Sequence, residues 1–291
     1  FYGLATFIFY KFGQSRLLSS FFLFSLLFGL VEFLRGNVLT GFPWNLFIYS
    51  LSENLSFISF LAIIGTYSFN LLIISFFTAP AIYILRKSKI EVFISILMLL
   101  IPIFFLAFGK LYKQNFLNEK VVKNPYLIRI IGSNISLDRF YGDNQTENII
   151  NELIDLSSPE PNKKTFFLWP EGIIPNTYLD ELKLYSHLFN ENFNENHLIG
   201  LGISSRSLLN EKYKYFNSLS VIDSKLNLVQ NYNKVNLVPF GEFLPFESLL
   251  NKIGLKTITN NIGSFTKGND RKIIHIENNL QDFKYLPLIC Y

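Results

Sequence analysis

At 291 residues the chain has room for two domains, and its apolar residues are unevenly spread between them. The formal net charge of +4 is small and dispersed, with no basic stripe interleaved with aromatics, which argues against a nucleic-acid partner. One cysteine, Cys290, permits no internal disulfide, so an oxidising compartment is neither required nor excluded.

Residues 1–109 are dominated by Phe, Leu and Ile and read as a multi-span α-helical membrane domain. Crossing the hydrocarbon core takes about 20 mostly apolar residues in a helix. Residues 1–10 read as the tail of one span. Leu17 to Leu34 reads as another, with Glu32 its only charge, and Leu55 to Leu85 carries no charge at all. Ile90 to Phe108 has only Glu91, at its start. Soluble helices seldom run this long without a polar face.

Lys and Arg gather on the cytoplasmic side of membrane proteins. Lys11 and Arg16 flank one short loop, and Arg86, Lys87 and Lys89 crowd another. Two crossings separate these loops, so both face inward. The loop from Gly36 to Asn54 and everything after Phe108 then face outward. Arg35 and Lys110 are single charges against this orientation. The outer loop, "RGNVLTGFPWNLFIYS", places Phe42, Trp44, Phe47 and Tyr49 where a span meets the headgroups. It fits either an interfacial aromatic belt or a lipid-binding wall.

Residues 110–291 have the charge density of a soluble domain. Strands are predicted at Tyr126–Ile131, Thr165–Pro170, His197–Ser204 and Ser218–Asp223. Between the first two, Ile149, Ile150, Leu153 and Ile154 fall on one helical face, with Asn144 and Glu147 spaced as a capping box. A second amphipathic helix is predicted over Tyr178–Phe189. This alternation argues for an α/β layered domain.

Three stretches carry chemistry. "FLWPEG" runs a hydrophobic strand into Glu171, a placement that suits a catalytic base although a glutamate there is ordinarily solvated. "YNKVNLVPFGEFLP" sets Lys234 before a run whose prolines and glycine exclude a regular helix. Its Phe240, Phe243, Leu244 and Phe246 read either as a lipid-facing lid or as a loop packed on the core. "LPLICY" delivers Cys290 at the end of a predicted strand. A thiol becomes a nucleophile when a base takes its proton or cations favour the thiolate. Glu171 could serve as that base, and Lys234 could face the oxyanion of a tetrahedral intermediate.

The order "WPE", then "K-x-x-LVPFGE", then "ICY" resembles the nitrilase superfamily. Within it, "VEFLRG-x-VLTGFPW" and "NKVNLVPFGEFLP" resemble the bacterial apolipoprotein N-acyltransferases. The resemblance implies an α/β domain of nitrilase-like α-β-β-α layers, periplasmic and behind a multi-pass anchor in the inner membrane. It also implies Glu171 as general base, Lys234 at the oxyanion, Cys290 as nucleophile and Glu242 as a further acid at the site. Substrate-binding positions would be Phe42, Trp44, Phe240, Phe243 and Tyr291, with no metal and no cofactor. The implied reaction takes an acyl chain from a phospholipid as a thioester. It then passes the chain to the α-amino group of a diacylglyceryl-modified apolipoprotein.

The sequence departs from the family in two places. Val235 and Asn236 follow Lys234 where the family carries basic residues. The chain also opens on Phe1 and stops at Tyr291, where the family continues with a glutamate and a last membrane helix, so it reads as cut at both ends. A membrane-anchored amidase shares the triad but not the outer-loop motif. A non-catalytic lipoprotein-binding scaffold would not need Glu171, Lys234 and Cys290 together. A transporter would need more acids in the spans than Glu32 and Glu91.

Overall fold

Helices α1 (Tyr2–Phe12) and α2 (Leu17–Asn37) turn large apolar side chains outward, among them Leu4, Phe7, Phe22, Leu26 and Leu30. Contiguous exposed apolar surface of this kind marks contact with lipid or a partner. The structure is a computed structural model. It describes residues 1–13, 16–38, 41, 43–119, 126–136, 146–209, 211–246, 264–277 and 282–289. The chain divides into two units, Phe1–Val121 and Val122–Tyr291.

In the first unit the charge-free run from Leu55 to Leu85 is not one helix. It is broken into α3 (Leu55–Ile58), α4 (Leu61–Ile64) and α5 (Thr66–Leu85). Gly65 makes the last break. Its φ of 79° is left-handed, which costs a glycine nothing, and its N–H closes α4 on the Leu61 carbonyl. Helix α6 (Lys89–Asn118) is 30 residues long. At 1.5 Å per residue that is about 45 Å, against a hydrocarbon thickness of about 30 Å. Its last turns, with Lys110, Lys113, Gln114 and Asn115, are the polar surplus. Helices α2, α5 and α6 are each long and apolar enough to cross a membrane.

The acids within these helices have structural partners. Glu32 is fully buried, accepting from Arg35 Nη2 at 3.0 Å and from the Tyr2 hydroxyl. Arg35 therefore balances a charge on its own helix and is weak evidence about loop orientation. Glu91 accepts the Lys87 and Ser88 backbone N–H groups and so caps α6. Neither acid is left to build an ion path. Phe57, Phe69, Ile73 and Phe105 form the core of this unit, with Phe69 and Phe105 edge to face at 4.6 Å. The outer loop is tied to that core by Ile48, whose N–H donates to the buried Asn70 Oδ1 at 2.9 Å.

The second unit is built on a five-stranded sheet of order β1-β2-β3-β4-β5: Leu127–Ile130, Thr165–Glu171, His197–Leu209, Lys212–Asp223 and Leu228–Asn233. Strands β1, β2 and β3 are parallel, while β3–β4 and β4–β5 are antiparallel. Helix α7 (Thr146–Ser157) buries Ile149, Ile150, Leu153 and Ile154 as their spacing predicts; Asn144 lies outside the described residues. The second predicted helix begins as a 3-10 turn, Leu179–Tyr185, before α8 (Ser186–Asn192), tight winding being common at helix starts. Both helices pack on one sheet face, against Phe167, Trp169, Ile199 and Leu201.

The other face carries Phe166, Leu198 and Val221. It is covered by a separate hairpin, β6 (Ile274–Glu277) with β7 (Asp282–Tyr285). The strand predicted to deliver Cys290 ends at Tyr285, and Leu286–Ile289 follow it outside any ladder. Leu286 and Leu288 point outward while Ile289 is buried, an alternation that mimics a strand in sequence.

Candidate active site

Glu171 owes its position to a bulge. Trp169 pairs with Leu201 and Glu171 with Gly202, which leaves Pro170 as the extra residue between them. Proline has no N–H to offer a ladder and is tolerated at such a point. Gly202 is required opposite, because a Cβ there would overlap the Glu171 backbone. The bulge sends the Trp169 side chain into the helical face, where Nε1 donates to Ser157 Oγ at 2.9 Å, and leaves Glu171 at the strand's carboxyl end.

The sheet register brings the rest. Gly202 pairs with Leu219, and Leu219 with Tyr232. Two residues further along, Ser204 pairs with Asn217, and the Lys234 N–H donates to the Asn217 carbonyl at 2.8 Å. Glu171, Asn217 and Lys234 thus meet at one end of the sheet although 63 residues separate the first from the last.

Lys234 is 3 % exposed, and its Nζ donates to Glu242 Oε1 at 2.9 Å and Glu171 Oε1 at 3.3 Å. Asn217 Nδ2 donates to the same two oxygens, at 2.6 Å to Glu171 and 2.7 Å to Glu242. The second Glu242 oxygen accepts the Val238 N–H at 2.9 Å. Glu171 is 38 % exposed and Glu242 only 13 %, so Glu171 faces outward while Glu242 closes the cluster from within.

Glu171 borders a cavity of about 350 Å³. Ile130 at the end of β1, Ile131 just past it, Leu168 on β2 and Leu219 on β4 line it, together with Leu288 and Ile289. Ligands in open α/β sheets sit beyond the carboxyl ends of the parallel strands, as here. Ile289, which precedes Cys290 in sequence, lies in the wall of the cavity that Glu171 borders. On the covering hairpin, burial pushes the Tyr285 phenol up to about 12, which keeps it neutral.

Among the sequence-predicted residues, Glu171, Lys234 and Glu242 are brought together. Cys290, Tyr291 and Phe42 lie outside the described residues. Trp44 belongs to the other unit and is exposed. Phe240 is half exposed, Phe243 half-buried, and Leu244 is buried, so the Leu244 side chain is core and not lid. Asn217 was not predicted. The available signal is an asparagine inside the β-rich run Tyr213–Asp223, where that residue type is depleted.

Comparison with known proteins bears on the whole chain. Residues 1–79 match the family model of the apolipoprotein N-acyltransferase N-terminal domain. The apolipoprotein N-acyltransferase of Brucella melitensis is 28% identical over 286 residues, 96% of this chain and 52% of that protein. That of Rhizobium etli is 28% identical over 301 residues, 100% of this chain and 55% of that protein. Among solved structures, the C. elegans NitFhit protein is similar at 14% identity with a TM-score of 0.29, covering 54% of this chain and 36% of that one. That likeness is too weak to assign a fold. The chain spans about half the length of the curated relatives it matches. Its first 79 residues are similar to the N-terminal domain of the apolipoprotein N-acyltransferases, and the similarity to these proteins continues through the α/β unit that holds the Glu171–Lys234–Glu242 cluster.

Proposed function

We propose that this protein transfers an acyl chain from a membrane phospholipid to the α-amino group of a diacylglyceryl-modified apolipoprotein. The acyl group is carried as a thioester on Cys290. The observation that carries the reading is the buried Lys234, held between Glu242 and Glu171, the latter bordering a cavity whose wall includes Leu288 and Ile289. The match of the membrane half and the aligned relatives favour it over an anchored amidase or a binding scaffold.

Glu171 takes the thiol proton, and the sulfur attacks the ester carbonyl of the phospholipid. Lys234 faces the oxyanion of the tetrahedral intermediate, where a fixed charge at a water-poor site is most effective. Collapse breaks the ester C–O bond. The departing lysophospholipid oxygen recovers the proton from Glu171, leaving the acyl-thioester. In the second half, the acceptor amine attacks the thioester carbonyl and gives its proton to Glu171. Collapse forms the amide and breaks the C–S bond, and the Glu171 proton returns to sulfur. Glu242 holds Lys234 in place. Phe42, Trp44, Phe240, Phe243 and Tyr291 line the lipid path. The α/β unit has nitrilase-like layers and lies on the periplasmic side of the inner membrane.

The protein, purified in detergent and incubated with phospholipid, gains the mass of one acyl group, and neutral hydroxylamine removes it. An adduct on Cys290→Ala, or none on the wild type, would end this reading.

A further inference from the structure

We infer that Asn217 is the positioning residue of this site: its amide holds Glu171 and Glu242 against Lys234 without adding a charge or a titrating group. The inference rests on the reading of Cys290 as the nucleophile. The amide nitrogen has two hydrogens, and each meets a carboxylate oxygen, Glu171 Oε1 at 2.6 Å and Glu242 Oε1 at 2.7 Å. The same two oxygens take Lys234 Nζ, so two acceptors are bridged by two donors. The amide cannot be turned over. Reversed, its carbonyl oxygen would face two carboxylate oxygens with no hydrogen between them.

The backbone fixes the amide in turn. Asn217 is paired to Ser204 within β4, and its own carbonyl accepts the Lys234 N–H at 2.8 Å. One residue therefore holds Lys234 through the main chain and the two partners of Lys234 through the side chain. Asparagine is otherwise a poor strand residue, so the sheet does not account for its presence.

The electrostatic need is specific. Two carboxylates sharing one ammonium would, if both ionised, leave a net negative site in which like charges repel. A second lysine at position 217 would balance the charge but make Glu171 a weaker base. An aspartate would add a third negative charge. The neutral amide relieves the repulsion and leaves the proton inventory to Glu171, Lys234 and the thiol.

The test needs no lipid. Alkylation of Cys290 by iodoacetamide is followed on the Cys290 peptide by mass spectrometry from pH 5 to 10, in the wild type and in Asn217→Asp, Asn217→Ser and Asn217→Ala. The aspartate's charge moves the thiol profile to higher pH by roughly one unit, about tenfold slower labelling at pH 7. Serine has one hydroxyl hydrogen for two acceptors and labels between wild type and alanine, which keeps the test open if the aspartate variant does not fold. A wild-type profile displaced from that of a free thiol, near pH 8.5, yet unmoved in the aspartate and serine variants overturns the role of Asn217 alone. A wild-type profile like that of a free thiol overturns the nucleophile reading and this inference with it.

Discussion

Lys234→Met replaces the buried ammonium with an apolar chain of similar length and leaves Glu242 facing the interior at 13 % exposure. Removing one partner of a buried ion pair costs roughly 3–5 kcal/mol, mostly as the penalty on the charge left behind. Water takes over the share of Glu171, which is 38 % exposed, and Asn217 still donates to both acids. The loss therefore falls near the bottom of that range, about 3 kcal/mol. For a unit of this size each kcal/mol moves the midpoint by about 2–4 °C, so thermal unfolding should begin roughly 6–12 °C lower. The measurement is near-ultraviolet circular dichroism of the detergent-solubilised protein. Adding Glu242→Gln removes the stranded charge and keeps one oxygen, for either the Asn217 or the Val238 donor, at the cost of the other bond, and should recover part of the loss. Neither variant should form the acyl-thioester. Lys234→Met melting at the wild-type temperature, or no recovery in the double variant, would show that this contact is not a buried charge pair.

Alkaline phosphatase fused after residue 115 should be active and fused after Lys87 inactive, and the reverse pattern would overturn the periplasmic assignment. Burial at 1 % exposure holds the His197 imidazole below its ordinary pKa, against the opposing contact with the Glu160 carbonyl. The neutral ring accepts the Asn194 N–H at Nδ1, so the fold favours the unprotonated form. A depressed value leaves stability full above about pH 6.5 and lost as pH falls toward the folded value. The thermal midpoint should fall from pH 7.5 to 5, less steeply in His197→Gln; equal slopes would refute the assignment.

The parts legible in the sequence were those set by local periodicity. The apolar stripe of α7 and the hydrophobic runs of β2 and β3 announce themselves because burial on one face dictates residue type at fixed spacing. Where an element is polar or exposed, no such signal exists. The outer halves of β3 and β4 are held by backbone pairing that any side chain can accompany, while β5, β6 and β7 bury Tyr232, Ile274, Ile276 and Phe283 but are too short for their alternation to stand out. The break at Gly65 was invisible to hydropathy because a helix and its interruption are equally apolar. At the site, Glu171, Lys234 and Glu242 were found by motif resemblance, since their separations alone allow any arrangement. Asn217 belongs to no motif, and only the β3–β4–β5 register puts it between the two acids.

That register also changes how the apolar turn beyond Lys234 should be understood. A lid would have to swing free of the chemistry, with its phenylalanines serving access and Glu242 serving the reaction. Instead Glu242 does both. Oε1 takes Lys234 and Asn217, Oε2 accepts the Val238 N–H at 2.9 Å, and the Glu242 N–H returns to the Val238 carbonyl at 2.8 Å. Phe240 is held at a φ of 65°, a left-handed conformation that costs a residue with a Cβ about 1–2 kcal/mol. Its N–H bond to the Phe243 carbonyl at 2.7 Å and the two Glu242–Val238 bonds keep it there. The conformation leaves Phe240 50% exposed while Leu244, at 6%, anchors the turn in the core. Opening this turn would mean breaking the contacts that hold Lys234 in place. The turn is therefore a rim braced to the site through Glu242, and a substitution at Glu242 should disturb the turn and the Lys234 contact together.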